Sequence, residues 1–181
     1  MISQSLVLAY HGCDASVAER VIAGRDQLRP SRRGYDWLGG GIYFWEDSES
    51  RAWQWAEEGV RGSRIKKPAV VGAVIQLREC LNLIDPESIE IVRKAHAAYL
   101  RMSRLTGRKP ETNRGKGLRA RFLDCEVFNT LNQLRAAERK VPFDTVRAFF
   151  VEGTELSARD GLRAQDPTRL AVRNPACIRR Y

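Results

Sequence analysis

The 181-residue sequence has few of the residues on which metal-bound or disulfide-bonded small domains depend. It contains two histidines and four cysteines. The cysteines are widely scattered, at Cys13, Cys80, Cys125 and Cys177. No Cys-x-x-Cys pair occurs and no histidine lies at a spacing suited to zinc, so we expect no metal ion. Scattered cysteines of this kind are typical of reduced thiols in a cytoplasmic protein.

Long apolar runs are also missing. No stretch approaches the roughly 20 apolar residues that cross a bilayer, and the N-terminal segment lacks the basic leader and apolar core of a signal peptide. We therefore expect a soluble, cytoplasmic protein with no membrane partner. With 43% hydrophobic and 29% charged residues and no internal repeat, the composition predicts one globular domain over residues 1–181.

Acidic residues are scarce in one part of the chain. Residues 93–121 hold ten lysines and arginines and a single acid, so this segment carries the whole net charge of +9. Such a run is often a solvated face, but here the cations surround a loop rich in glycine, proline, threonine and asparagine. We predict a basic insertion that contacts nucleic-acid phosphates without reading bases. The candidate nucleic-acid-binding residues are Arg108, Lys109, Arg114 and Lys116. An acidic protein, such as an antitoxin, is the alternative partner.

The order of predicted elements favours an α+β fold over the regular alternation of a doubly wound sheet. Strands are predicted at 6–10, 42–45, 69–77, 146–151 and 169–173, with 82–85 as an extension of the sheet. Helices are predicted at 14–24, 48–58, 88–105 and 122–140. At the start of the first helix, Ser16 and Glu19 have the spacing of a capping box.

Three consecutive glycines at 39–41 precede an aromatic strand. Because they lead into a strand, they do not fit the dinucleotide fingerprint, which must open a helix. Alternation along the strand places Tyr43 and Trp45 on one face and Phe44 on the other. We expect one face to be core and the other to be a stacking surface, although an aromatic strand taken alone is more often plain core.

A second candidate feature is His11-Gly12, where the first predicted strand ends. This pair can offer a ligand both an imidazole and an unobstructed backbone amide. Taken alone, a histidine in this position is more often explained by a hydrogen bond to the adjacent turn.

Together the two features resemble the ADP-ribosyltransferase fold, in the branch shared by diphtheria-like toxins and the poly(ADP-ribose) polymerases. His11-Gly12, the helix from Asp14 and the Gly-Gly-Gly-Ile-Tyr-Phe stretch at 39–44 follow the family's order. The C-terminal RLAVRNPACIRRY is similar to the family's last strand and turn. The resemblance covers roughly the first 60 and the last 15 residues. It implies split antiparallel sheets around a cleft for NAD, with flanking helices.

The resemblance also implies roles for single residues. His11 would hydrogen-bond a ribose hydroxyl of NAD, the backbone of Gly12 would hold the nicotinamide carboxamide, and Tyr43 would stack on the nicotinamide ring. In many relatives a second aromatic side chain, from the next helix, closes the ring sandwich. Trp53 is the candidate here, although strict spacing points to Gln54, and packing of the helix explains Trp53 equally well.

At the third family position the sequence departs from the pattern. The transferases carry a glutamate just before the last strand, which stabilises the oxocarbenium-like charge of the breaking bond. The counted match here is Arg169, whose guanidinium cannot supply that anion. Either the mechanism differs, or a nearby residue serves instead. The three alternatives are Gln165, Asp166 and Glu152.

The resemblance and the basic segment together imply a toxin-like, NAD-dependent ADP-ribosyltransferase whose macromolecular acceptor is DNA or RNA. His11, Tyr43 and Arg169 are the candidate catalytic residues, and NAD is the substrate. Two alternatives stay open. One is an NAD glycohydrolase with water as acceptor, and the other is an inactive module that binds nucleotides or nucleic acid.

Overall fold

Four helices and nine strands make up the described part of the computed structural model, which covers residues 3–62, 64–115, 120–149, 152–155, 163–165 and 168–181. The strands are β1 Ser3–Asp14, β2 Ile42–Glu46, β3 Pro68–Arg78, β4 Cys80–Asn82, β5 Thr145–Phe149, β6 Glu152–Glu155, β7 Arg163–Gln165, β8 Thr168–Val172 and β9 Ile178–Arg180. The helices are α1 Ala15–Ile22, α2 Glu49–Arg61, α3 Pro86–Leu105 and α4 Phe122–Ala137. This content confirms the α+β class.

Seven of the strands form a mixed sheet in the order β4-β5-β8-β2-β1-β3-β9, and β6 pairs with β7. Only β4 and β5 run parallel among these described pairs. Where split sheets were expected, seven of the nine described strands form one sheet with a narrow central junction. There β1 meets β2 through two pairs, Ala9↔Glu46 and Tyr10↔Trp45. Beyond Tyr10 the β1–β2 ladder ends, although β1 continues.

The first strand is longer than the sequence predicts. β1 runs on to Asp14 because β3 supplies ladder partners as far as Asp14↔Pro68. His11 therefore lies inside the strand, opposite Val71 of β3, and not at a strand end. It is also the first residue of β1 beyond the ladder with β2.

Asp14 caps α1. Its carboxylate accepts hydrogen bonds from the backbone N–H of Ser16 at 3.0 Å and from the Ser16 hydroxyl at 2.7 Å. It also accepts from the backbone N–H of Lys66 and Lys67, which precede β3. These hydrogen bonds hold the pKa of Asp14 well below its usual range, and the bond from the Ser16 hydroxyl contributes most. The predicted capping box of Ser16 and Glu19 is wrong because Asp14 occupies the N-cap position.

The sheet has a hydrophobic cluster on each face. Phe44 of β2 packs in one cluster with Ala9 of β1 and Ile75 of β3. Tyr43 packs against the other cluster, which includes Phe128 of α4. The predicted separation of Tyr43 and Phe44 onto opposite faces is therefore confirmed.

The other predicted elements occur with shifted ends. The strand expected at 82–85 lies instead at Cys80–Asn82, where it pairs with β5. The sequence pattern did not indicate β6, β7 or β9. All four cysteines are free thiols. None of the helices in the described part of the chain is long and apolar enough to span a membrane.

Candidate functional site

A cavity of about 350 Å³ lies beside the end of the β1–β2 ladder. His11, Tyr43 and Arg169 all line it. A second cavity of about 470 Å³ shares His11 and Trp55 with the first, and Gly12 lines it. We call the two cavities together the cleft. The three candidate catalytic residues thus meet at one place, from three different strands.

His11 is held in one tautomer by the backbone. Its Nδ1 lies 2.7 Å from the carbonyl oxygen of Tyr43. A carbonyl can only accept, so Nδ1 carries the proton. Burial lowers the pKa of His11, which keeps the ring neutral near pH 7 and leaves Nε2 as an acceptor. Nε2 can therefore accept a hydrogen bond from a ligand hydroxyl.

The hydroxyl of Tyr43 has a structural task. It donates to the carbonyl of Gly39 at 2.7 Å and accepts from the N–H of Leu38 at 2.9 Å. Burial raises the pKa of Tyr43 above its usual range, so the phenol stays protonated. Although Tyr43 and His11 belong to opposite faces of the sheet, both border the cleft because the ladder between their strands has ended. What Tyr43 offers a ligand is therefore its ring.

Gly12 is required by the approach of α2 to β1. A Cβ atom at this position would lie 2.2 Å from the carbonyl oxygen of Ala52 and 3.3 Å from the Cβ of Ala56. The sequence argument assigned this glycine to a close approach of ligand. In the structure the close approach is that of a helix backbone.

The aromatic side chain that α2 contributes to the cleft is Trp55. Trp53 is 44% exposed and donates its indole N–H to Glu57 at 3.0 Å. It does not occur among the described residues that line the cleft, whereas Trp55 lines both cavities. The ring of Trp55 lies 6.4 Å from that of His11. Two residues along a helix turn a side chain through about 200°, which separates the two indoles. The sequence itself indicates Trp55, because Ala52, Trp55 and Ala56 have the i, i+3, i+4 spacing of one helix face.

Arg169 lies over an aromatic ring. It pairs with Trp45 across the β2–β8 ladder, and its guanidinium carbon is 5.2 Å from the centroid of the Trp45 ring. Trp45 is 3% exposed, and its indole N–H has no acceptor among the described residues. Both side chains line the cleft. The sequence argument identified the cation but not this buried donor next to it.

The alternatives for the third position cannot be compared with Arg169 in space. Glu152 and Gln165 belong to β6 and β7, whose side chains are not described. Asp166 lies outside the described residues.

The first cavity of the cleft is strongly basic in its described lining. Five arginines line the 350 Å³ cavity, against a single carboxylate in the described lining, that of Asp36. The arginines are Arg29, Arg33, Arg64, Arg121 and Arg169. Asp36 accepts the N–H of Arg33 at 2.9 Å, and burial raises its pKa. The sequence argument missed this charge because residues 1–92 hold more acidic than basic residues overall. The fold brings three arginines of this range to the cavity but only one of its acids, Asp36.

The predicted nucleic-acid-binding residues are placed on the surface as far as they are described. Arg108 and Lys109 are exposed in the loop after α3. Arg114 is exposed and pairs with Glu111 at 2.5 Å. Lys116 lies outside the described residues.

A series of contacts between cations and aromatic rings connects the basic segment to the cleft. The guanidinium of Arg114 lies 4.8 Å from the centroid of the Phe122 ring. Phe122 meets Tyr35 edge-on at 5.7 Å, and Arg33 lies 5.9 Å over Tyr35. Arg33 and Tyr35 line the cleft, as does Arg121 at the end of the segment. Positive charge therefore extends from the loop to the cavity.

Among the described residues, no group of three or more His, Cys, Asp or Glu side chains is arranged to hold a metal ion. Besides Asp36, the described lining of the 350 Å³ cavity consists mainly of arginines, aromatic rings and the neutral His11. Such a set suits an anionic ligand with rings and hydroxyls, such as a nucleotide.

No family model and no solved structure matches the chain. In an alignment of 115 positions that covers 59% of the chain, it is 30% identical to the uncharacterized protein MJ0359 of Methanocaldococcus jannaschii. The aligned part covers 53% of that protein, so the chain spans about half the length of this relative. These matches assign no family to the chain.

Proposed function

We propose that the protein is an NAD-dependent ADP-ribosyltransferase with an ADP-ribosyltransferase-like sheet around an NAD cleft. It would break the bond between nicotinamide and ribose and transfer ADP-ribose to a macromolecule. The observation that carries the proposal is the meeting of His11 and Tyr43 at one basic cleft. Two further points support the proposal. The sequence motifs resemble those of the family, and the first cavity, at about 350 Å³, has a volume within the usual range of ligand sites.

In this proposal each group has a distinct task. Nε2 of His11 accepts a hydrogen bond from a ribose hydroxyl, since Nδ1 is committed to the Tyr43 carbonyl. The Tyr43 ring packs against nicotinamide, with Trp55 in place of Trp53 as the nearest indole from α2. Arginines of the cleft bind the diphosphate. Because the bond to nicotinamide breaks largely before the new bond forms, holding both fragments in place favours transfer.

Nucleic acid is the acceptor that the charge distribution favours. The exposed cations Arg108, Lys109 and Arg114 lie on a segment that ends at Arg121 in the cleft. Phosphate contacts from such residues position a strand without selecting its sequence. A cytoplasmic toxin restrained by an acidic antitoxin protein fits the same charges.

The test of the activity uses NAD labelled in its adenylate phosphate. The protein is incubated with this NAD and with separate pools of RNA, DNA and cell protein, and both label transfer and free nicotinamide are measured. We expect transfer to nucleic acid, and its loss in His11→Ala. Free nicotinamide without transfer would indicate the glycohydrolase, and NAD binding without cleavage would indicate the inactive module. Arg180→Gln on β9, at the far edge of the sheet, is the control.

The test of the acceptor measures binding of an oligonucleotide at several salt concentrations. The slope of log K against log salt is negative, and each lost phosphate contact reduces its magnitude by about 0.7–0.9. Neutralising four basic residues should therefore reduce the magnitude of the slope by about 3. In the test variant, four basic residues are replaced by glutamine: Arg108, Lys109, Arg114 and Lys116. A matched variant changes four arginines elsewhere in the chain, Arg25, Arg61, Arg179 and Arg180. Equal slopes in the two variants would mean that the basic segment is only a solvated face.

A further inference from the structure

A third cavity, of about 390 Å³, is lined by the loop before β2, by helix α4 and by the residue that follows β8. The loop contributes residues 30–34 and Gly40, and the residue after β8 is Arg173. Two of the loop residues, Ser31 and Arg33, also line the 350 Å³ cavity of the cleft. The third cavity therefore shares a wall with the cleft, but the roles proposed above for the cleft do not include it.

Arg173 brings to this cavity a partly buried cation whose acceptor among the described residues is neutral. Its two terminal nitrogens donate to Oδ1 of Asn129 at 3.4 and 3.3 Å, and the same oxygen accepts the N–H of Gly40 at 3.3 Å. An amide oxygen has two lone pairs, so three donors at these distances are weakly satisfied. None of the described carboxylates lies within ion-pair distance of the guanidinium. Arg173 can therefore donate to a ligand.

Gly39, the first glycine of the motif at 39–41, leaves room for this guanidinium. A Cβ atom at this position would lie 2.5 Å from Nη1 of Arg173 and 2.9 Å from Oδ1 of Asn129. The φ angle of Gly39, +78°, is also in the left-handed region that favours glycine. The glycine stretch therefore serves the third cavity as well as the strand that carries Tyr43.

The other charges in the described lining of the cavity are two exposed arginines and one carboxylate. Arg32 and Arg33 come from the loop, and Glu126 comes from α4. Neither arginine forms an ion pair with a described carboxylate. Three guanidinium groups and one carboxylate suit a phosphate, whose oxygens accept parallel hydrogen bonds from a guanidinium.

The third cavity lies next to the end of the basic segment. Gly34 lines the cavity, and a Cβ atom at this glycine would lie 3.8 Å from the ring of Phe122. The guanidinium of Arg114 lies 4.8 Å from the centroid of the same ring. A nucleic-acid strand bound to the basic segment would therefore pass close to the third cavity.

Resting on the nucleic-acid partner of the proposed function, we propose that the third cavity binds a backbone phosphate of the acceptor strand. The guanidinium of Arg173 would bind the phosphate oxygens, and the exposed Arg32 would add a second cation. Because Ser31 and Arg33 belong to both cavities, a phosphate bound here holds the strand beside the wall of the cleft. Such a contact positions the strand without selecting its sequence.

The first experiment measures binding of a fluorescent single-stranded oligonucleotide with hydroxyl ends, in the absence of NAD. Arg173→Gln should raise the Kd about tenfold, as for one hydrogen-bonded contact with a charged group. It should also reduce the magnitude of the slope of log K against log salt by about 0.7, the contribution of one phosphate on a single strand. Arg173→Lys keeps the charge and should keep the slope. An unchanged Kd in a folded Arg173→Gln protein would overturn the site.

A substitution with the opposite expected effect separates phosphate binding from folding. Glu126→Gln removes the carboxylate from the described lining, so the Kd should fall about two- to fivefold, as for one exposed charge. Arg32→Gln, at an exposed residue of the same lining, should raise the Kd by a similar factor even if Arg173→Gln does not fold. Arg180→Gln on β9 should match the unaltered protein. Weaker binding by Glu126→Gln, or an unchanged Kd for Arg32→Gln, would overturn the assignment of this cavity.

A titration with inorganic phosphate, followed by phosphorus NMR, distinguishes the strand from a free anion. The strand should bind far more tightly than phosphate, because the basic segment adds contacts along the same molecule. Phosphate binding that depends on Arg173, without strand binding at low salt, would overturn the nucleic-acid partner of the proposed function and the strand as ligand. Strand binding that requires the basic segment but is unchanged in Arg173→Gln would overturn this site alone.

Discussion

The substitution Gly12→Ala tests how closely α2 approaches β1. The added Cβ would lie 2.2 Å from the carbonyl oxygen of Ala52, whereas ordinary contact begins at 3.4 Å. Helix and strand must therefore separate by about 1 Å, and the obstructing atom is backbone in a helix where Ala52 is fully buried. Overpacking of this kind costs about 1–3 kcal/mol, and we expect the upper end because no flexible side chain can yield.

For a chain of 181 residues, about 3 kcal/mol corresponds to a fall in Tm of about 6–12 °C. The measurement is thermal unfolding followed by circular dichroism. Gly72→Ala is the matched control, because its added Cβ would meet only the Tyr10 ring at 3.5 Å, an ordinary contact. We expect the control to change the unfolding free energy by less than about 1 kcal/mol.

A second readout links this packing to the cleft. Displacement of α2 moves Trp55, which lines both cavities, so Gly12→Ala should also change tryptophan fluorescence and weaken NAD binding. Equal Tm values for the Gly12→Ala and Gly72→Ala proteins would refute the close approach of α2.

Three further substitutions have defined outcomes. Tyr43→Phe removes the acceptor of the buried Leu38 N–H, so urea denaturation should show a loss of about 1–3 kcal/mol, and an unchanged midpoint would contradict the hydrogen bond. Glu46→Gln breaks the two-bond ion pair with Arg147, at 2.6 and 2.8 Å, and should cost about 1.5–3 kcal/mol in the same assay, even at high salt because the Glu46 side chain is 8% exposed. Because the pKa of His11 is lowered in the folded protein, the unfolded chain binds a proton at this histidine at a higher pH than the folded protein does. The free energy of unfolding should therefore fall as the pH drops below 6.5. His11→Asn should reduce this dependence in urea midpoints measured at several pH values, and an unchanged slope would place the pH dependence elsewhere.

Local patterns were sufficient for most of the secondary structure. The aromatic strand at 42–45, the buried strand at 69–77 and the helix from 122 follow from spacing of apolar residues, which determines the burial of a face. The end of β1 could not be predicted in this way. Its last residues, from His11 to Asp14, are held by pairing with β3, more than 50 residues later in the chain.

The candidate site divides in the same manner. His11 and Tyr43 stand out in the sequence through the glycines and aromatic residues next to them, and their chemistry is that of their side chains. The tautomer of His11 depends on the carbonyl of Tyr43, more than 30 residues away in the chain. The hydroxyl of Tyr43 is occupied by the carbonyl of Gly39, about 4 residues away. Trp55 replaces Trp53 because the direction of a helix face is fixed only when the helix is packed.

The sequence by itself determined the order of the four α-helices and of six of the nine described strands, the faces of the aromatic strand and the concentration of charge at 93–121. Only the tertiary structure decided that five arginines surround one cavity and that the Trp45 N–H is buried beside Arg169. The physical reason is that periodicity and turn chemistry depend on residues close together in the sequence. The charge of a cleft and the hydrogen-bond partners available in it depend on residues from distant segments, which meet only after folding.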